Sequence, residues 1–136
     1  MKIKHLTILS LLVLTLGSTS LTAKQKPFLI QGKMPHLTMI VNQNWNNENF
    51  GLTTEQKIKL KGIKQKTMGA IASLKGEIFP LEDSIVKASA KGVTPESLEE
   101  DVEKLAELRA EATMIHLKCI YDTKNILTKE QLQLIK

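Results

Sequence analysis

The sequence predicts an all-α protein: a long, kinked, antiparallel helical hairpin with short flanking helices, joined as a homodimer. Three features of its 136 residues carry that expectation. Two long apolar stripes run at helical spacing, a glycine turn lies between them, and capping signals stand where the helices begin. Only 4% of the chain is aromatic. That is too little for a base-stacking platform, so nucleic acid is not an expected partner.

The first element is an export signal at 1–23. Lys2, Lys4 and His5 lead, residues 6–16 are almost wholly apolar, and small residues follow at 17–23. A basic lead, a short apolar run and small residues before a cut are what secretion requires. The run is about half of the ~20 residues that span a bilayer, so no stable membrane insertion is expected once the signal is gone. Cleavage after Ala23 leaves bulky Leu21 at the third position before the cut, and cleavage after Ser20 fits nearly as well. The expected compartment is the periplasm. Removing Lys2 and Lys4 leaves 17 basic against 14 acidic residues, a mild positive excess. Cys119 is the only cysteine. In an oxidising compartment it must be buried, bridge two chains or bind a soft metal.

Residues 24–51 read as a flexible leading arm. Pro35 and the asparagines Asn42, Asn44, Asn46, Asn47 and Asn49 favour turns, with a short helix expected over 35–41. The helical domain follows at 52–136. Leu60, Ile63, Thr67, Ile71, Leu74, Ile78, Leu81, Ile85 and Ala88 recur in steps of three and four, one stripe of a long helix. Pro80 removes a backbone donor and predicts a kink near Phe79. Because the stripe keeps its phase across Pro80, one bent helix is expected rather than two. Lys91-Gly92-Val93 turns the chain. Thr94 is the expected cap of a second helix, with Pro95 at its first position. Leu98, Val102, Leu105, Leu108, Ala112, Ile115 and Cys119 form its stripe. Leu117, Ile120 and Tyr121 lie off that stripe, and either a second copy of the chain or the 35–41 helix is expected to cover them.

Two strings match: Leu52-Thr53-Thr54-Glu55-Gln56 and Leu127-Thr128-Lys129-Glu130-Gln131. Each reads as a capping box, with the threonine hydroxyl accepting from the amide three residues on and the glutamine reaching back. Folding about Gly92 sets Thr53 opposite Gln131, so both boxes meet at the open end of the hairpin. An export signal, paired L-T-x-x-Q motifs and a kinked hairpin between them resemble the Spy/CpxP family of periplasmic proteins. The resemblance covers 52–136. It implies a curved helical dimer and an ATP-independent chaperone for unfolded or misfolded envelope proteins, or an adaptor of an envelope-stress sensor kinase. Relatives in that family bind copper, zinc, nickel or cobalt.

Two site readings follow. For a chaperone, Lys57, Lys59, Lys61, Lys64, Lys66 and Lys75 surround the first stripe, whereas Glu96, Glu99, Glu100, Asp101, Glu103, Glu107 and Glu111 line the second helix. Lysine stems around apolar atoms would hold acidic, unfolded clients. Ordinary solvated faces would look the same, one lysine at a time. For a metal, His116 and Cys119 share a helix face and the turn register brings Met68 opposite. That donor set suits copper(I), or zinc where a carboxylate or water replaces the methionine; nickel is a further candidate ion, and Met34, His36, Met39 and Met114 are additional candidate ligands. Core packing explains Cys119 and Met68 equally well. No cofactor is required, and no catalytic group is expected: His5, His36 and His116 lie in separate segments, without an oxyanion hole.

Overall fold

The computed structural model describes residues 25–135, and the expected signal at 1–23 lies outside the described residues. The order is α1 (Leu37–Gln43), α2 (Thr54–Ala90), α3 (Pro95–Ile126) and α4 (Lys129–Leu134), all helical among the described residues. The two long helices pack together. Glu82 of α2 meets Arg109 of α3, and Gln56 at the start of α2 reaches Ile126 at the end of α3, so the chain doubles back between them.

Local chemistry sets each boundary. Thr53 and Gln56 close a capping box on α2, and Glu55 in its first turn pairs with Lys59. The helix runs unbroken through Pro80. Gly76, four residues earlier, owns the carbonyl that the proline leaves without its helical partner. At the far end Gly92 takes φ 80°, a left-handed conformation that glycine adopts without steric cost. Val93 N–H then donates to the Ala88 carbonyl and Gly92 N–H to that of Ser89, the Schellman pattern that satisfies the last carbonyls of a helix. Pro95 opens α3 as expected. Thr94 holds the N-cap position, but its hydroxyl pairs with that of Ser97 at 3.1 Å and caps no backbone amide.

Burial follows the predicted α2 stripe: Leu60, Leu74 and Ile78 are buried, and its other members are half-buried. On α3 the outcome is mixed. Ala112 and Cys119 are buried, but Val102 is 49% exposed, because among the described residues the part of α3 near the turn has only α2 packed against it. Three polar residues, Thr113, His116 and Thr123, are buried instead.

The third layer comes from 25–51, the segment expected to be a leading arm. Phe28 joins Leu74, Ile78 and Ala112 in one core. Val41 and Phe50 join Leu60 and Leu127 in a second core at the open end. Leu29 N–H donates to Thr113 Oγ1 at 2.8 Å, and the Arg109 guanidinium donates to the carbonyls of Lys26 and Phe28. The expected short helix forms as α1, starting at Leu37, and packs on α3. It leaves Leu117 and Tyr121 39% and 66% exposed.

Candidate functional site

The two capping boxes meet. Thr53 Oγ1 accepts from Gln56 N–H at 3.1 Å and Gln56 Oε1 accepts from Thr53 N–H at 3.0 Å. In the second box the corresponding distances are 3.2 Å for Gln131 N–H to Thr128 Oγ1 and 2.9 Å for Thr128 N–H to Gln131 Oε1. The side-chain amides then exchange bonds: Gln56 Nε2 donates to Gln131 Oε1 at 2.8 Å, and Gln131 Nε2 to Gln56 Oε1 at 3.2 Å. Gln131 Nε2 also donates to the carbonyls of Phe50 and Gly51, and Gln56 Nε2 to that of Ile126. A buried carboxamide offers two donors and one acceptor oxygen, and Gln131 uses both kinds. Leu52, Leu127 and Leu132 pack in the core beneath. The motif residues therefore form a joint between the segment before α2, α2 itself, the end of α3, and α4.

The lysines have different surroundings. Lys59 is paired with Glu55 at 2.5 Å. Lys57 stands 5.9 Å from the centroid of the Trp45 ring, within cation–π range. Lys64 Nζ reaches Asn42 Oδ1 at 3.3 Å, and Lys66 borders a small hollow beside Cys119. Lys61 and Lys75 are exposed. Among the described residues only Lys59 of this array has a carboxylate partner. Ile58 and Met68, on the same helix, are 69% and 62% exposed. The acidic stretch of α3 does not pair with the array. The cross-helix ion pair is Arg109–Glu82, at 2.6 Å.

The proposed metal ligands are not brought together. Met68 stands on the outward side of α2, while Thr67 and Ile71 occupy the positions facing α3. Among the described residues, no three His, Cys, Asp or Glu side chains gather where an ion would sit. His116 instead meets the leading segment. Its ring stacks on Phe28 at 4.9 Å and lies 4.9 Å from His36, tilted by 48°. Its Nε2 is buried without a hydrogen-bond partner among the described residues. Burial holds the His116 pKa below its ordinary value. Neighbouring His36 lowers it further, and the Pro35 backbone beside it pulls the other way. Burial disfavours the charged imidazole, as does a second imidazole at this range. Cys119 is a buried free thiol.

Comparison with protein-family models, with curated proteins and with solved structures returns no match. Sequence reasoning overlooked two features, the His36–His116 contact as a pair and the hollow beside Trp45. The only tryptophan of the chain, set among asparagines, was a signal for the second.

Proposed function

We propose that the protein is a periplasmic, ATP-independent chaperone or envelope-stress adaptor of Spy/CpxP type. The observation that carries this reading is the lysine array on α2, in which only Lys59 has a carboxylate partner among the described residues, set beside exposed Ile58 and Met68. Flexible cations next to apolar atoms grip acidic, unfolded segments weakly, and release needs no nucleotide. The export signal read in 1–23 sets the compartment in this proposal. Among the described residues no helix is long and apolar enough to cross a membrane. A bend at Pro80 would curve the long helix pair. Leu117, Tyr121 and Met114, 39%, 66% and 64% exposed, would form the seam of a homodimer. An envelope sensor kinase is the partner in the adaptor form of the reading.

The test is the aggregation of a chemically unfolded client. The processed protein should slow aggregation at near-stoichiometric ratio without nucleotide, and a charge-reversed Lys61→Glu/Lys66→Glu/Lys75→Glu variant should lose the effect. No protection at tenfold excess refutes the proposal. Sedimentation at two concentrations tests the dimer.

A second reading, metal sensing or resistance, is favoured by one observation: buried His116 with its unpartnered Nε2 lies next to His36. Neutral imidazoles are ligands for copper, zinc and nickel. Titrating those ions against the native protein, His116→Ala and Cys119→Ser separates the readings. Identical binding by all three proteins removes the site.

A further inference from the structure

The hollow between α1 and α2 holds about 300 Å³. That is the low end of the ~300–1,000 Å³ typical of small-molecule pockets. Its inner surface is mostly apolar: the half-buried Trp45 supplies it with Thr38 and the lysine stems, and Val41 and Leu60, only 1% and 3% exposed, close the floor beneath. Lys61 and Lys64 stand at the rim with Asn42. Among the described residues no carboxylate lines the hollow and neither lysine has a carboxylate partner. Two cations over an apolar floor complement one ligand chemistry: an anionic head on a short apolar body.

We propose that this hollow binds a medium-chain alkyl carboxylate, its tail against Trp45 and the lysine stems above the Val41–Leu60 floor and its head between the Lys61 and Lys64 ammonium groups. The tail gains from leaving water, and each further buried methylene should tighten binding about fourfold. The head supplies the charge preference. At a half-exposed rim the preference over a cationic head of equal chain length should be about tenfold. Lys61 and Lys64 also belong to the lysine array of the client reading, so the assay contains no client and its failure leaves that reading to its own test.

Trp45 is the only tryptophan and lies in the wall, so its fluorescence reports occupancy. Decanoate, kept below the concentration at which it forms micelles, should shift the emission saturably. Octanoate should bind about fifteenfold more weakly, two methylenes shorter, and decyltrimethylammonium about tenfold more weakly. In Lys61→Glu/Lys64→Glu, with its helical circular dichroism intact, the order of the two heads should reverse. The native protein's head-group and chain-length comparisons decide the matter even where that variant fails to fold. No saturable shift, equal affinity for both heads or no dependence on chain length overturns the proposal. Tighter binding by an apolar peptide with a free C-terminal carboxylate than by decanoate also overturns it, in favour of a peptide site.

Discussion

Replacing Gln131 by alanine should be among the more costly polar substitutions in the chain. The side chain is 5% exposed and forms five hydrogen bonds: to Thr128 N–H, to the carbonyls of Phe50 and Gly51, and two with Gln56. Losing the reciprocal half of the capping box costs about 1 kcal/mol. Stranding the buried Phe50 carbonyl costs about 1–2 kcal/mol more, because it loses a donor without regaining water. The expected loss is therefore about 2–3 kcal/mol. Gln56→Ala should lose about 1 kcal/mol, since Gln56 is only half-buried and water can replace part of what it offers. Urea unfolding followed by circular dichroism measures both. The double variant should show a coupling of about 1 kcal/mol, as expected of residues that share a hydrogen bond. Gln131→Glu sharpens the test, because a carboxylate turns an oxygen toward the Phe50 carbonyl where a donor stood. Folding then favours the protonated acid and raises its folded pKa. The variant's deficit should be full at pH 7 and shrink as pH falls toward the ordinary glutamate value of about 4.3. A loss below 1 kcal/mol for Gln131→Ala, or strict additivity with Gln56→Ala, refutes the joint.

Other outcomes follow from the same structure. His116 binds its proton more weakly folded than unfolded, so the unfolded chain holds more protons below pH 6.5 and stability should fall as pH drops through that range. His116→Leu should flatten that acid-side slope, read as urea midpoints at pH 5 and 7.5; an unchanged slope refutes the assignment. Arg109→Ala breaks a pair whose side chains are 14% and 33% exposed and frees two carbonyls of the leading segment. A loss of about 1–2 kcal/mol is expected, below that of a fully buried pair, with proteolytic cutting near 25–31 appearing before cutting elsewhere. Ile78→Ala, at a fully buried position, should lose about 2–5 kcal/mol. Ile58→Ala, 69% exposed, should change stability by less than about 0.5 kcal/mol; similar losses at the two positions would contradict the packing.

Both long helices were readable because their apolar residues repeat at the helical period, and that period does not depend on what covers the stripe. The meeting of the two boxes was readable for a related reason: equal arms about Gly92 set Thr53 opposite Gln131, less than one helical turn from Gln56. The leading segment was hidden. Phe28 lies in a short stretch without periodicity, and its partners Leu74, Ile78 and Ala112 are dozens of residues away. The α3 face beneath it carries Thr113 and His116, whose polarity removes them from any hydropathy stripe. Their burial follows from partners contributed by the leading segment, Leu29 N–H on Thr113 and Phe28 on the His116 ring. Met68 was misplaced for a different reason. Register fixes only its height along α2, and its direction around the helix puts it in water.

Opposite the glutamine joint, the 91–94 turn has a different practical meaning. Gly92 has nothing within 4 Å of where a side chain would begin, and residues 91–94 are all exposed. A fluorophore or affinity peptide grafted there would touch neither core and none of the motif hydrogen bonds. That loop is therefore the handle by which the molecule can be immobilised or watched with its other end left undisturbed.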